Sequence, residues 1–212
     1  MLKLKEYPMV RKTDRDLEIP NLLEFARYYK DHYISVLDVG AHCSAKYYAK
    51  EIRKLAEWYV AVDPQEDKET EKIVDEYYQM DVVKNELQPA DFVICCSTIE
   101  HVGSYPVVYN DIPKARLVVL LHILQAAKKY FWLSFPVGLE HVCPGQMSLI
   151  TEKELEEWEK LMTGCLTEKG YFWSDGPQAG YPWKPVDRKT AFSQQYDERL
   201  GNRAICIIEG AM

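Results

Sequence analysis

ADFVICCSTIEHVG, residues 90–103, joins a short apolar run to a polar cluster in which a carboxylate and an imidazole stand side by side, at Glu100 and His101. The apolar part has the length and composition of a buried β-strand. The letters EHV return at 140–142, again just after an apolar run, YFWLSFPVG at 130–138. The sequence therefore places Glu-His pairs at the ends of two successive predicted strands.

Outward from this stretch, short apolar runs alternate with segments that favour helices. Because these strands read as nearly unbroken apolar runs, they predict βαβ units, right-handed crossovers and a parallel sheet buried on both faces. The predicted strands are 34–40, 58–64, 77–83, 90–97 and 130–138, and the predicted helices are 17–33, 44–58, 66–77 and 113–129.

The C-terminal part of the chain follows a different pattern. Residues 151–162 favour a helix, with Thr151 as N-cap and Glu154 three positions on, the two residues of a capping box. Between the predicted closing strands, the segment 176–202 is rich in Pro, Gly and aromatic residues. It predicts a long structureless loop, and such loops are usually functional or mobile. The predicted closing strands are 169–175 and 203–210.

Composition narrows the class of protein. The chain has 212 residues, of which 47% are hydrophobic, and this suits one domain spanning 1–212. The net charge is −7 and no dense Lys/Arg cluster occurs, so a nucleic-acid partner is not expected. No signal-peptide core and no membrane-spanning run are present, and none of the 6 cysteines form Cys-x-x-Cys pairs. We expect buried, reduced thiols and a cytoplasmic location.

Residues at the carboxyl ends of the predicted strands are candidates for ligand binding, because ligands of open α/β sheets bind at that edge. Gly40 permits a sharp turn after the first strand, although the absence of G-x-G-x-x-G disfavours a dinucleotide or ATP site. Asp63 could accept two hydrogen bonds from a ribose diol, or it could start a turn with Pro64. Asp81, after the third strand, could face an adenine amino group or cap a turn.

The fourth strand delivers Ser97, Thr98, Glu100 and His101. A histidine beside a carboxylate at a ligand-facing strand end is a candidate general base; the alternative is a histidine held by structural hydrogen bonds. If the fourth and fifth strands are neighbours, His101 and His141 could face one pocket. The repeated EHV then has three interpretations: coincidence, a shared acid/base pocket, or a metal site. Adjacent Glu-His side chains seldom converge on one point, so no metal is predicted.

Taken together, VLDVG at 36–40, AVD at 61–63 and DFVICCSTIEHVG at 91–103 resemble the class I S-adenosylmethionine-dependent methyltransferases. An EHV after the fourth strand is frequent in their small-molecule O-methyltransferase branches, and STIEHVG is also similar to proteins related to sugar and glycan methyltransferases. The resemblance covers about residues 30–140. It implies S-adenosylmethionine as cofactor and an α/β, Rossmann-like three-layer sandwich, in which the two closing strands complete a mostly parallel seven-stranded sheet.

The resemblance also implies roles for individual residues. In this family the first glycine-bearing loop passes under the methionine part of the cofactor. The chain departs from the family there, because G-x-G becomes Gly40-Ala41-His42. The implied positions are Asp38, Gly40 and Ala41 near the methionine moiety, Asp63 on the ribose, Asp81 or Val82 near adenine, Ser97 and Thr98 along the cofactor, and Glu100 or His101 at the reacting centre.

The sequence thus predicts a methyltransferase acting on a hydroxyl of a sugar or other small polar acceptor, with His101 as general base and Glu100 orienting it. The segment 176–202 is a candidate lid, in which Phe192 adds to the aromatic surface. The predicted substrate-binding residues are His141, Tyr181 and Trp183.

Two other classes of protein stay open. The degenerate glycine loop is compatible with a binding module that keeps the fold and has lost the reaction. A nucleotide-sugar or NAD-binding oxidoreductase is the other, although the glycine fingerprint is missing. A nucleic-acid methyltransferase is disfavoured by the negative charge.

Overall fold

A computed structural model describes most of the chain. The described residues are 14–42, 44–103, 107–139, 142–143, 147–176, 183–194 and 203–212. The predicted substrate-binding residues His141 and Tyr181 lie outside them, as does Glu140.

Strands and helices alternate along the described chain. The strands are β1 (Ser35–Val39), β2 (Trp58–Asp63), β3 (Glu76–Gln79), β4 (Ala90–Cys96), β5 (Ala127–Val137), β6 (Val142–Cys143), β7 (Met147–Ser148), β8 (Leu166–Ser174), β9 (Lys184–Val186) and β10 (Arg203–Ala211). The helices are α1 (Arg15–Tyr28), α2 (Ala49–Leu55), α3 (Lys68–Glu71), α4 (Ile112–Ala126), α5 (Glu152–Leu161) and α6 (Arg188–Ser193).

The main sheet has the strand order β3-β2-β1-β4-β5-β10-β8-β9 in the described part of the chain. The first five strands in this order pair in parallel, whereas β10 lies antiparallel between β5 and β8, and β9 pairs antiparallel with β8. The predicted fold class, an α/β Rossmann-like sheet, is confirmed. The sheet gains an eighth strand because β9 forms inside the segment predicted to be loop.

Helices cover both faces of the sheet, which makes the three layers. Successive strand residues point to opposite faces, so Val93 and Cys95 of β4 join one core while Phe92 and Ile94 join the other. The first core is closed by α4, α5 and α6, and the second by α1 and α2. The helices in the described part of the chain do not combine the length and apolar character that a membrane span needs.

Several predicted elements need correction. The polar helix expected at 66–77 is only α3, capped by Asp67, and the chain enters β3 already at Glu76. The helix expected at 44–58 is a 3₁₀ turn (Ser44–Lys46) followed by the shorter α2. The capping box of Thr151 and Glu154 is confirmed at the start of α5.

The segment 176–202 is not the structureless loop that its composition predicts. Its described middle part forms β9 and α6, and Asp187 caps α6 by accepting the N–H of Thr190 at 2.7 Å. The cysteine prediction is correct for Cys95, Cys96 and Cys206, which are buried free thiols, whereas Cys165 is partly exposed.

Candidate functional site

One cavity of about 310 Å³ opens at the carboxyl edge of the parallel strands. Its wall combines residues that follow four strands with one residue of the N-terminal helix. They include Gly40 and His42 after β1, Asp63 at the end of β2, Asp81 and Val82 after β3, Ser97, Thr98 and His101 after β4, and Arg15 of α1.

Gly40 makes the turn that forms the cavity floor. Its φ is +79°, in the left-handed region that disfavours side chains, and its N–H donates to the Val62 carbonyl at 2.8 Å. A Cβ at this position would lie 1.9 Å from Thr98 Cγ2. The Thr98 hydroxyl in turn donates to the Gly40 carbonyl at 3.2 Å. Only glycine fits here, which is a geometric reason for the first glycine of the G-x-G-like turn.

Asp38 and Ala41 lie behind this wall. Both are fully buried and neither lines the cavity, in contrast to the direct contact with ligand that the sequence suggested. The Asp38 carboxylate accepts hydroxyl hydrogen bonds from Tyr59 at 2.7 Å, Tyr48 at 3.0 Å and Ser44 at 3.4 Å. Burial raises the pKa of Asp38 to about 6, although the three hydroxyl groups oppose the shift. Asp38 therefore acts on the cavity through Tyr48 and Ser44, which do line it.

Asp63 lies in the cavity wall, and two backbone N–H groups already occupy part of the hydrogen-bonding capacity of its carboxylate. Its Oδ2 accepts the His42 N–H at 3.0 Å and its Oδ1 accepts the Gln65 N–H at 2.8 Å. Burial raises the pKa of Asp63, while these two N–H groups favour the ionised form. A carboxylate has about four acceptor positions, so roughly two remain for a ligand. The backbone of His42 thus supports the acid where the family pattern has its second glycine.

Asp81 is more fully engaged. Its Oδ1 accepts the Val83 N–H at 3.0 Å, and its Oδ2 accepts the Tyr109 hydroxyl. Burial and the nearby Asp81 raise the pKa of Tyr109, so the phenol stays protonated and keeps donating. Val82 and Val102 add apolar surface on this side of the cavity. The arrangement suits a flat ring better than a strong new hydrogen bond to Asp81.

The corner after β4 is held in an unusual backbone conformation. Ser97 has a φ of +44°, and its N–H donates to the Ser134 carbonyl at 3.0 Å. Its hydroxyl donates to Glu18, a fully buried residue of α1. Residues that are 79 positions apart in the sequence thereby fix the corner from which His101 follows.

Arg15 and Glu18 are site residues that the sequence reading missed. The Arg15 Nη1 lies 2.9 Å from Glu18 Oε2 and 3.4 Å from Cys96 Sγ, and Arg15 lines the cavity. Burial raises the pKa of Glu18 to about 7, against the attraction of Arg15. In the sequence, the only sign of this pair is an Arg and a Glu three residues apart beside the apolar face of a predicted helix. Such pairs are common on helix surfaces, so this one does not stand out as part of a site.

His101 and Glu100 lie at different depths. The His101 side chain is 50% exposed and lines the cavity, whereas the Glu100 side chain is 3% exposed and lies behind it. The distance from His101 Nε2 to Glu100 Oε1 is 3.9 Å. Burial raises the pKa of Glu100, with His101 acting in the other direction. Among the residues that the structure describes, Glu100 Oε2 has no hydrogen-bond partner.

Two aromatic residues predicted to face the substrate do not reach the cavity. Trp183 is half-buried against the core that α1 and α2 cover. Phe192 is 5% exposed, and its ring packs 6.0 Å from that of Tyr171 in the other core. Within the described residues, no group of three or more His, Cys, Asp and Glu side chains could hold a metal ion.

No protein-family model and no curated protein sequence matches the chain. Solved structures do match its fold. A SAM-dependent methyltransferase from Archaeoglobus fulgidus gives a TM-score of 0.58 at 15% identity, covering 93% of this chain and 94% of that one. Magnesium protoporphyrin IX methyltransferase from Synechocystis, with bound S-adenosylhomocysteine (SAH), gives 0.52 at 11% identity, covering 97% and 90%. The N-methyltransferase NodS from Bradyrhizobium japonicum gives 0.55 at 7% identity, covering 93% and 98%.

The chain therefore has the fold of the S-adenosylmethionine-dependent methyltransferases. At these identities the likeness establishes the fold, and what each of those enzymes methylates is a property of that enzyme.

Proposed function

We propose that the chain is an S-adenosylmethionine-dependent methyltransferase that acts on a hydroxyl group of a sugar or another small polar molecule. One observation carries this proposal. In a methyltransferase fold, a single cavity brings together the Gly40 turn, the Asp63 carboxylate and the His101 imidazole. The Gly40 turn lets the backbone approach the cofactor closely, Asp63 can accept hydrogen bonds from the ribose diol, and His101 can take up the proton of the acceptor.

The donor groups of the cavity fit the cofactor. The free acceptor positions of Asp63 match the two ribose hydroxyl groups, and Val82 and Val102 offer apolar surface to the adenine. At the other side of the cavity, Arg15 offers a guanidinium group to the carboxylate of the methionine part. When bound, the cofactor supplies a sulfonium group with its methyl group already activated for transfer.

The protein must then align the acceptor and take up its proton. His101 is half-exposed at the cavity, so an acceptor hydroxyl can reach its ring nitrogen. Glu100 lies behind the ring at 3.9 Å, and a carboxylate there stabilises the imidazolium that forms. Thr98 O accepts the His101 N–H at 2.9 Å and fixes the backbone from which the imidazole projects.

The polarity of the cavity wall supports the proposed acceptor class. His42 and His101 line the cavity and are exposed enough to offer hydrogen-bonding groups, which suits a molecule rich in hydroxyl groups. The net charge of −7 argues against a nucleic acid.

The test is a methyl-transfer assay that follows SAH formation with a panel of nucleotide-sugars and simple polyols. We expect transfer to at least one of them. His101→Gln is expected to lower kcat about 100-fold, the usual contribution of a general base, while SAH affinity stays within about twofold. His32→Gln, at an exposed position away from the cavity, is the matched control. Full activity of His101→Gln would exclude the assigned base, and no transfer to any member of the panel would exclude the acceptor class.

A catalytically inactive binding module is the second candidate. The observation that favours it is the loop Gly40-Ala41-His42, in which the family's second glycine is absent. Tight SAH binding together with no methyl transfer to any acceptor is the result that this candidate predicts.

A further inference from the structure

A buried arginine lies directly behind the corner that carries His101. Arg116 of α4 is 1% exposed, and its neighbours on the same helix, such as Leu120 and Ile123, are apolar core residues. Its guanidinium group donates from Nη2 to the Glu100 carbonyl at 2.8 Å and from Nη1 to Glu154 Oε1 at 3.2 Å. A buried guanidinium group must replace its lost hydration with hydrogen bonds, so the identity of these acceptors shows what Arg116 holds in place.

The Glu100 carbonyl is the informative acceptor. It belongs to the peptide group that leads into His101, within the 3₁₀ turn Ile99–His101. The His101 N–H donates to Thr98 O, so one side of this short turn is fixed by the turn itself. Arg116 fixes the other side from within the core, which sets the direction in which the imidazole leaves the backbone.

The same guanidinium group holds the segment that follows the second EHV. Arg116 Nη2 lies 2.7 Å from the Ser148 carbonyl and 2.5 Å from the Ser148 hydroxyl. Ser148 in β7 pairs with Val142, the last residue of the second EHV. One side chain therefore contacts both the turn of the first EHV and the strand that pairs with Val142.

The charge balance explains why the position needs an arginine. Burial lowers the pKa of Arg116, and Glu154 opposes this effect, so the guanidinium group remains charged. Glu154 is itself held in place, because its Oε2 accepts the Thr151 N–H at 3.0 Å. A lysine has the charge but not the planar fork that reaches Glu100, Ser148 and Glu154 at once.

We propose that Arg116 is a positioning residue for His101. It joins the turn that carries His101 to Ser148 of β7, so that the imidazole keeps its direction at the cavity wall. Arg116 does not line the cavity but holds the turn that carries His101. We therefore expect it to affect the transfer step and acceptor binding and to leave cofactor affinity unchanged. This inference rests on the role proposed for His101.

The test compares Arg116→Met, Arg116→Lys and wild type, with Arg53→Met as matched control. Arg53 bonds a backbone carbonyl (Ala56, 2.8 Å) and a carboxylate (Asp75, 2.9 Å) at the end of α2, but it does not line the cavity. We expect Arg116→Met to lower kcat about 10- to 100-fold, as displaced catalytic groups do, and to leave SAH affinity within about twofold. Arg116→Lys is expected to recover part of the loss, and Arg53→Met to resemble wild type.

A second readout does not depend on activity. The imidazole signals of His101 in a ¹H–¹⁵N NMR spectrum, assigned with His101→Gln, should shift in Arg116→Lys and further in Arg116→Met, while those of His32 stay in place. Wild-type kcat together with unshifted His101 signals in folded Arg116→Met would overturn the inference. If Arg116→Met does not fold, Arg116→Lys decides by the same two criteria.

The two readouts separate the inference from the proposed function. If the wild-type chain transfers no methyl group, the proposed function fails, whereas the shift of the His101 signals still decides whether Arg116 positions this residue.

Discussion

Gly40 and Thr98 meet across the floor of the cavity, and their contact explains why position 40 requires a glycine. Gly40 needs both its positive φ and its missing side chain, because Thr98 occupies the space that a Cβ would take. His42, which stands where the pattern has its second glycine, has no such requirement: its side chain is exposed, and Ser97 is the positive-φ non-glycine residue of the described chain. The departure from the family's G-x-G pattern thus falls at a position where the turn does not depend on glycine.

Gly40→Ala should therefore destabilise the protein and abolish cofactor binding. Positive φ and the overlap with Thr98 together should cost about 2–4 kcal/mol of unfolding free energy. Urea denaturation measures the cost, and Gly164→Ala is the matched control, since a Cβ at Gly164 would meet nothing within 4 Å. Equal stability of the two variants would show that the contact with Thr98 is not limiting.

The burial of Glu18 makes the stability of the protein depend on pH. It is fully buried, and burial raises its pKa to about 7 from an ordinary value of 4.5. Between these two pH values the folded state binds a proton that the unfolded state does not. Its contribution to stability is therefore present below about pH 4.5 and is lost as the pH rises through 7.

Glu18→Gln should reduce the fall in stability between pH 5 and pH 8, because the amide does not titrate, whereas Asp38 and Glu209, with pKa values raised to about 6 and about 7, still do. Melting temperatures across this range measure the slope. Glu57→Gln, at an exposed position, should leave the wild-type slope unchanged. A wild-type slope in Glu18→Gln would mean that Glu18 is not the titrating group.

At the scale of elements, α6 changes the interpretation of the C-terminal region. Arg188 pairs with Glu159 at 2.9 Å and with Glu152 at 3.1 Å, which ties α6 to α5. Phe192 fills the core beneath. The middle of the predicted lid is therefore an anchored part of the domain.

Phe192→Ala should accordingly act on stability. Loss of this buried ring should cost about 3 kcal/mol, whereas SAH affinity should not change. Leu166→Ala, at a position 82% exposed, should be close to neutral and serves as the control. A variant of Phe192 that keeps wild-type stability but binds acceptor more weakly would restore the lid interpretation.

The sequence predicted those elements whose signals are local. Apolar runs placed β1, β2, β4 and β5 within a few residues, and the capping box placed the start of α5. The helix predicted for the polar run 66–77 is wrong in its length, because tertiary packing outweighs helix propensity there. Ile73 and Val74 pack against the core instead of extending α3. Similarly, β9 has three residues and forms only because β8 offers an edge to pair with.

The residues of the candidate site also fall into two groups, those with a local sequence signal and those without one. The placement of Gly40, Asp63 and His101 at the cavity could be predicted because each lies at the end of a strand or in the turn that follows it, and parallel strands bring their carboxyl ends to one edge. Arg15 and Arg116 could not, because their contacts join elements distant in sequence, such as Arg15 with Cys96. Composition likewise could not tell that Phe192 belongs to the core.

For the whole molecule, the repeated EHV has a structural context. The first copy follows β4 and brings His101 to the cavity wall. The second copy ends in β6, whose pairing with β7 connects it to Arg116 and so to the Glu100 carbonyl. The two segments are linked through one buried guanidinium group.

The central claim is that this cavity binds S-adenosylmethionine through Asp63, and calorimetric titration of S-adenosylmethionine and SAH into the purified protein tests it most directly. Wild type should bind both, Asp63→Asn should bind at least tenfold more weakly, and Glu66→Gln, which removes a charge from the same loop outside the cavity, should match wild type. No binding at millimolar ligand, or equal affinity of Asp63→Asn and wild type, would contradict the account.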